Sequence, residues 1–268
     1  MPANLIDGLC ADLEAEHADL DGLLAGLAPA DWDRPTPAEG WLIRDQVMHL
    51  AYADVMAHLS ATDRATFEAR RDDEKQRLAD REEAMRRGRS LVPADLLAYW
   101  RDVRGQMLAA FRAADPSLRV PWFGPDMAIA SSITARLMET WAHGQDIADA
   151  VGAERKPTPR LRHVAHIGVR ARPFSYATRG RKVPSGEIFV ELTAPNGETW
   201  TWGDPASPNR VRGSALDFSL VVTQRRHPAD TDLAVEGPLA EEWIGIAQAF
   251  AGPPGPGRKP GQFRRKTS

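Results

Sequence analysis

A glutamate and a histidine four residues apart form the clearest chemical motif in the sequence. Glu139 and His143 lie in residues 128–152, where apolar and small residues recur with helical rather than strand spacing. On a helix, side chains four positions apart leave the same face with Cβ atoms about 5–6 Å apart. That separation suits a metal ion held by one carboxylate oxygen and one imidazole nitrogen. The same pattern also occurs on many solvated helix faces, so the pair alone does not define a site.

His49 is the candidate for a third ligand. It falls on a predicted helix from about Ile43 to Ala61, and two neighbouring helices of a bundle can face their side chains across the axis. Two histidines and one carboxylate leave the fourth position of a tetrahedral zinc site open to water or substrate. The same set suits ferrous iron when the three ligands lie on one octahedral face. For His49 alone, the alternative is a hydrogen-bonded interior histidine.

Other residues give weaker indications. Asp45, one helical turn before His49, is either a hydrogen-bond acceptor for an imidazole N–H or an exposed acid at a helix N-terminus, and Asp146 has the same ambiguity. His17 and His58 fall on outer or mixed helix faces and are interpreted as structural. Cys10 is the single cysteine, which excludes an internal disulfide, cannot close a structural zinc shell and fits a reducing cytoplasm. The G-x-S-x-G, Walker and G-x-G-x-x-G motifs do not occur, so acyl-serine, P-loop and dinucleotide chemistry are not indicated.

Composition excludes several classes of partner. The formal net charge of −3 provides no positive field that would attract DNA or RNA. No apolar run approaches the roughly 18 residues of a membrane span, and the N-terminus lacks a basic-then-apolar signal pattern. We therefore expect a cytoplasmic protein with small-molecule partners, no nucleic acid and no membrane, as a monomer or a homodimer.

The elements that must position the candidate ligands are helices. Apolar periodicity predicts four of them in the first half, joined by short turns and one long connection, which is the pattern of an all-α bundle. They cover about residues 4–27, 43–61, 93–114 and 128–152. The charged connection at 63–90 is predicted to be a solvated helix extension or a mobile lid.

The second half has the pattern of an α+β domain. Short β-type runs at 187–193 and 198–202 flank Pro195-Asn196-Gly197, a strong hairpin signal. Further strands are predicted at 210–212 and 231–235, with helices at 160–172, 214–225 and 238–250. The sequence thus predicts an α+β protein of two domains, a four-helix bundle at 1–155 and an α+β domain at 156–252, followed by a disordered tail at 253–268.

Two runs carry a family resemblance in the first half. The run GWLIRDQVMHLAYAD at 40–54, followed by TARLMETWAHGQDIADAVG at 134–152, resembles the DinB-like metal-binding bundle of the mycothiol-dependent maleylpyruvate isomerase group of actinobacteria. In that group a histidine on the second helix and a Glu-x-x-x-His pair on the fourth hold the metal. The matching positions in this sequence are His49, Glu139 and His143.

The resemblance continues into the second half. The runs GSALDFSLVVTQRRH at 213–227 and TDLAVEGPLAEEWIGIAQAFAGPPG at 231–255 are similar to the group's sterol-carrier-like C-terminal domain. There an arginine late in the domain reaches the active site, and Arg225 matches it best, with the adjacent Arg226 as the alternative. The wider pattern resembles a sister group of uncharacterised metal-binding proteins more closely than the isomerase itself. The resemblance therefore implies a metal site more directly than it implies a particular substrate.

This resemblance implies a metal-dependent enzyme that uses an external thiol. A divalent metal, Zn²⁺ first and Fe²⁺ or Ni²⁺ as alternatives, would favour a bound mycothiol thiolate for isomerisation or S-transfer on a small acidic or electrophilic substrate. Arg225 or Arg226 would hold a substrate carboxylate or stabilise an enolate. Two alternatives remain: a metal hydrolase that uses a metal-bound water, and a non-catalytic protein that binds a small ligand in its second half.

Overall fold

The chain divides into two units, Met1–Arg155 and Lys156–Ser268. The first unit is mostly helical. The computed structural model describes residues 3–255 and 257–263. The first unit contains α1 (Ala3–Ala25), α2 (Ile43–Thr62), α3 (Arg64–Asp72), α4 (Glu74–Ser90), α5 (Pro93–Ala113) and α6 (Ile129–Val151), with a 3-10 turn at Pro29–Asp33 and a short hairpin of β1 (Arg119–Val120) and β2 (Met127–Ala128).

The four predicted helices correspond to α1, α2, α5 and α6. Each of them packs against two others, with α2 between α5 and α6, and α1 on the far side between the same two helices. Gln46 contacts His143 near one end of the α2–α6 interface, and Asp54 contacts Arg136 further along it, so α2 and α6 run antiparallel. This arrangement places His49 opposite Glu139.

The charged connection at 63–90 forms α3 and α4, and α4 packs along α2. Gly88 permits this close approach, because a Cβ at that position would lie 2.7 Å from the Cβ of Met48. The guanidinium of Arg44 donates to the carbonyls of Arg89 and Leu91 at the end of α4, at 2.9 and 3.1 Å. The connection is thus anchored at this end to α2, the helix that carries His49.

The sequence pattern placed His17 on an outer or mixed face of α1, but the structure places it in the interior of the helical unit. Its side chain is buried, it contacts the ring of Trp100 edge-on with centroids 5.7 Å apart, and its two ring nitrogens have no hydrogen-bond partner among the described residues. Burial, with smaller effects from Arg104 and Arg136, holds its pKa well below 6.5. The folded protein therefore holds a neutral imidazole there.

We expect this burial to make the protein less stable in mild acid. The unfolded chain protonates His17 below about pH 6.5 whereas the folded chain does not, so the free energy of unfolding falls as the pH drops below that value. His17→Leu should abolish up to about 2 kcal/mol of the loss between pH 7.5 and 5. Urea unfolding at both pH values tests this, with His58→Leu, a substitution at a partly exposed histidine of α2, as a control. Equal acid sensitivity of His17→Leu and the parent protein would contradict it.

The second unit combines helices with a mixed four-stranded sheet. It contains α7 (Leu161–Arg170), α8 (Arg172–Ala177), β3 (Phe189–Thr193), β4 (Thr199–Trp202), β5 (Arg210–Ser214), α9 (Ala215–Val222), a 3-10 turn at Pro228–Asp230, β6 (Ala234–Glu236) and α10 (Pro238–Ile246). The strand order is β4-β3-β5-β6, with β3 parallel to β5 and the other pairs antiparallel. The predicted fold, a helical bundle followed by an α+β domain, is confirmed.

Part of the predicted disordered tail lies in the described chain. The backbone amides of Gly261 and Phe263 donate to the carboxylate of Asp230 at 2.7 and 3.4 Å. Residue 256 and residues 264–268, which that prediction also covers, lie outside the described residues. Among the residues that the structure describes, no helix combines the length and the apolar character that crossing a bilayer requires.

Candidate metal centre

Three side chains predicted as ligands converge between α2 and α6. One potential ligand atom from each of His49, Glu139 and His143 lies within 4.8 Å of the other two. The Nε2 atom of His143 is 3.1 Å from Oε2 of Glu139, and the Nε2 atom of His49 is 3.9 Å from the same oxygen. The two imidazole rings have centroids 4.6 Å apart. Antiparallel packing thus brings residues from two distant segments to one point.

The donor set and its spacing fit a divalent metal ion. Two nitrogens or oxygens bound to one zinc ion at about 2.0–2.1 Å in tetrahedral geometry lie roughly 3.3 Å from each other. The observed distances of 3.1 and 3.9 Å bracket that separation. Within the described chain, this is the one group of at least three histidine, cysteine or acidic side chains close enough to hold an ion. If all three side chains bound a tetrahedral ion, a fourth position would be left for an exogenous group.

Solvent reaches the three side chains to different extents. The exposed fractions are 25% for His49, 21% for Glu139 and 11% for His143. The ring of Trp41 covers another side of the cluster: its centroid is 5.3 Å from that of His49, edge-on, and 6.0 Å from that of His143, nearly parallel. A small molecule can therefore approach the cluster while an aromatic wall excludes water from one side.

The two histidines keep Glu139 ionised. Burial of this carboxyl acts to raise its pKa, but hydrogen bonds and charge interactions with His143 and His49 outweigh that effect and hold the pKa well below its usual value. A carboxylate that stays negative at neutral pH attracts a cation and can donate an electron pair to a metal ion. The electrostatics of the cluster therefore agree with its geometry.

Gln46 is a residue of the site that the sequence reasoning missed. Its side chain is fully buried, its Oε1 atom lies 2.5 Å from Nδ1 of His143, and its Nε2 atom donates to Oγ1 of Thr36 at 2.8 Å. Gln46 lies three residues before His49 on α2, and this spacing, which puts the two side chains on one helix face, was the signal in the sequence that could have identified it. Because a carboxylate is the more familiar partner of a metal-binding imidazole, the neighbouring Asp45 was the candidate instead.

Asp45 serves the ends of two helices rather than an imidazole. Its carboxylate accepts the backbone N–H of Leu42 at 3.0 Å, at the start of α2, and pairs with the guanidinium of Arg89 through two contacts of 2.8 Å. The side chain is 1% exposed, so it is not an exposed N-terminal acid either. Asp146, the other carboxylate considered, is fully buried on α6.

Cys10 supplies no thiol to the cluster. The side chain is fully buried on α1, and burial raises the pKa of its thiol to about 11. It therefore remains protonated near neutral pH and acts as a small buried apolar residue, in agreement with the amphipathic pattern of the first helix.

Arg225 and Arg226 lie in the second unit, just after α9. The amides of both donate to the carbonyl of Leu220, a turn made possible by Gln224, whose φ of 60° is in the left-handed region. The guanidinium of Arg225 donates to the Thr223 carbonyl at 2.6 Å, and that of Arg226 donates to the Arg225 carbonyl at 2.7 Å. A non-glycine residue with positive φ is uncommon and often lies beside a functional position.

Comparison with known proteins agrees with the predicted resemblance. The family model described as "Mycothiol maleylpyruvate isomerase N-terminal domain" matches residues 13–148, a range that includes the three converging side chains. Two uncharacterised proteins of Mycobacterium tuberculosis, from strains CDC 1551 / Oshkosh and ATCC 25618 / H37Rv, are each 45% identical over 249 residues, which cover 92% of this chain and 97% of theirs.

Two solved structures share the fold. They are crystal structures of the mycothiol-dependent maleylpyruvate isomerase and of a histidine-to-alanine mutant of it, with TM-scores of 0.60 and 0.59. The matches cover 90% of this chain and 96% of each of those chains, at 16% and 17% identity. Because the family model covers half of the chain and the mycobacterial relatives cover nearly all of it, the chain belongs to the mycothiol maleylpyruvate isomerase N-terminal domain family.

Proposed function

We propose that this protein is a metal-dependent enzyme that uses an external low-molecular-weight thiol, mycothiol or a close analogue, for cis–trans isomerisation or S-transfer on a small acidic or electrophilic substrate. The observation that carries the proposal is the convergence of His49, Glu139 and His143 at a solvent-accessible point. The only cysteine of the chain is buried and protonated, so the thiol must come from outside. The printed names of the family and of the solved isomerase support mycothiol as that thiol.

Each ligand has a role toward the proposed ion. The Nε2 atoms of His49 and His143 and the Oε2 atom of Glu139 would hold Zn²⁺, or Fe²⁺ or Ni²⁺ as alternatives. When bound, such an ion lowers the pKa of a thiol at its open position, which supplies a thiolate nucleophile at neutral pH. Glu139 compensates part of the added positive charge. Trp41 covers one side of the site and keeps out water, which would otherwise compete with the thiol for the ion.

The chemistry of isomerisation needs no other covalent catalyst. A thiolate adds to a carbon–carbon double bond that is conjugated to a carbonyl, and the resulting single bond rotates. Expulsion of the same thiolate restores the double bond with the opposite geometry, so the thiol is regenerated and the product is an isomer of the substrate. In S-transfer the same nucleophile displaces a leaving group and stays in the product.

Arg225 or Arg226 is proposed to bind the acidic part of the substrate. A guanidinium recognises a carboxylate through two parallel hydrogen bonds and stabilises the negative charge of an enolate. The proposal for this pair is supported by the resemblance of the segment 213–227 to the isomerase group. Arg225→Gln and Arg226→Gln should therefore raise the KM for an acidic substrate, and the variant with the larger effect identifies the binding residue.

A turnover assay with and without thiol tests the proposed function. We expect the zinc-loaded full chain to isomerise maleylpyruvate, or to alkylate mycothiol with a small electrophile, only when both metal and mycothiol are present. His49→Ala should be inactive, and His58→Ala on the same helix should retain activity. Thiol-independent, metal-dependent hydrolysis would favour the hydrolase instead. Apolar-ligand binding unchanged by His49→Ala, without any turnover, would favour a non-catalytic binding protein.

A further inference from the structure

We propose that Gln46 is a positioning residue that holds His143 in one tautomer, with the proton on Nδ1 and the lone pair of Nε2 directed at the metal position. The inference deepens the proposed function and rests on it for the identity of the ion. It depends on a hydrogen-bond chain that begins at a backbone carbonyl in the loop before α2 and ends at the imidazole.

The chain has three consecutive contacts. Oγ1 of Thr36 donates to the carbonyl of Trp41 at 2.9 Å, Nε2 of Gln46 donates to Oγ1 of Thr36 at 2.8 Å, and Oε1 of Gln46 faces Nδ1 of His143 at 2.5 Å. Thr36 is 8% exposed and Gln46 is fully buried. Water therefore has little access to substitute for any of the partners.

The direction of every proton follows from the first contact. A backbone carbonyl can only accept, so the hydroxyl hydrogen of Thr36 is committed to Trp41, and the Thr36 oxygen is left as an acceptor. The Gln46 amide must then turn its NH₂ group toward Thr36 and its oxygen toward His143. An amide oxygen only accepts, and hence Nδ1 of His143 carries a proton.

Neutral imidazole carries one ring proton, so with Nδ1 protonated the lone pair lies on Nε2. That atom is 3.1 Å from the negatively charged Oε2 of Glu139. Two electron-pair donors then face each other, and the contact is favourable when a cation lies between them: the proposed metal ion, or a second ring proton on Nε2 when no metal is bound. The hydrogen-bond chain thus prepares the pair for an ion before the ion arrives.

The loop that carries the chain is itself fixed. Pro35 and Leu42 form an isolated antiparallel bridge, and the backbone N–H of Thr36 donates to the Trp41 carbonyl at 2.7 Å. The same loop presents the Trp41 ring, which lies nearly parallel to the ring of His143. One rigid segment therefore sets both the tilt of the imidazole and the location of its proton.

Zinc affinity of three variants tests the proposal. We expect Gln46→Leu, which removes the acceptor, to weaken Zn²⁺ binding by about 10- to 100-fold, the usual effect of losing such a partner. Thr36→Val should also weaken it, because the freed amide can turn its NH₂ group toward Nδ1 and favour the wrong tautomer. Gln46→Glu keeps an acceptor and should retain affinity. Titration of the metal-stripped full chain against a competing chelator measures all three.

Gln145→Leu provides the matched control. Gln145 is a buried amide on α6, and its Nε2 atom donates to Asp149 at 2.8 Å rather than to a proposed ligand. Its replacement should leave the zinc dissociation constant unchanged. A folded Gln46→Leu protein that binds Zn²⁺ as tightly as the parent protein would overturn the proposal. If Gln46→Leu does not fold, the Thr36→Val result decides.

A ¹⁵N spectrum of the histidine side chains tests the tautomer without metal. The parent protein should show Nδ1 of His143 protonated at pH 8, both metal-free and zinc-loaded. An unprotonated Nδ1 would overturn the role of Gln46 whatever the affinities are. A parent protein that binds no Zn²⁺ would overturn the proposed function, and the metal-free spectrum would still decide what Gln46 does.

Discussion

Alanine at His49 or at His143 should abolish stoichiometric binding of a divalent metal ion while leaving the helical circular dichroism largely intact. Each substitution removes one of three converging candidate ligands, and loss of only a hydrogen-bond partner of a metal ligand already costs about 10- to 100-fold in affinity. We therefore expect at least a 100-fold loss. His49 is one quarter exposed, so its truncation leaves no large internal cavity. Elemental analysis of the purified variants, with dialysis against a chelator, measures the effect.

His58→Ala is the control for this prediction. His58 lies on the same helix α2, and its Nδ1 atom contacts the Gln106 carbonyl at 3.3 Å, away from the proposed ligands. Its metal content should match that of the parent protein. Retention of one equivalent of metal by both His49→Ala and His143→Ala would contradict the proposed centre.

Arg136→Met should destabilise the helical unit by about 3–5 kcal/mol, because it leaves a buried carboxylate without its counter-ion. The guanidinium of Arg136 contacts Asp54 at 2.9 and 3.0 Å, and the indole N–H of Trp100 donates to the other carboxylate oxygen at 3.0 Å. Asp54 is fully buried and Arg136 is 2% exposed. Burial already raises the pKa of Asp54, and Arg136 acts against that effect. Urea unfolding followed by circular dichroism gives the change.

A double replacement separates the charge from the packing. Arg136→Met combined with Asp54→Leu removes the unpaired charge and should recover much of the stability lost in Arg136→Met. The recovered stability is smaller than the loss, because the indole N–H of Trp100 loses its acceptor when Asp54 is replaced. If Arg136→Met alone unfolds at the urea concentration of the parent protein, the pair has no structural role.

Local signals in the sequence were sufficient for most of the fold. Helical periodicity located α2, α5 and α6 closely, and Gly152 ends α6 in the left-handed conformation with φ of 69°, as its place in the pattern predicted. The hairpin around Gly197, with φ of 85°, joins β3 and β4. The short hairpin of β1 and β2 and the parallel pairing of β3 with β5 were not predicted. Both depend on contacts between segments, and periodicity and turn residues carry no information on such contacts.

The candidate site was less accessible from residue patterns alone. Spacing indicated Glu139 and His143, the position of His49 on the second predicted helix made it the candidate third ligand, and the family resemblance then supported that choice. Arg136 lies on the same polar stripe of α6 as those ligands, yet it points inward to Asp54. A stripe does not distinguish a ligand from a buried ion pair, since both place polar groups at helical spacing. Gln46 is uncharged and makes its contacts with the loop and with the other helix, so no local pattern singles it out.

The division of the ligands between α2 and α6 sets an order for assembly. His49 and Glu139 lie about ninety residues apart along the chain, on helices that meet only after α3, α4 and α5 have been synthesised. During translation the proposed ion would therefore meet His49 alone, and the three candidate ligands come together only when α6 docks. Closing so long a loop costs entropy, and burial of the helix faces must offset it first. Binding of the proposed ion would thus follow the docking of α6 rather than nucleate the folding of this unit.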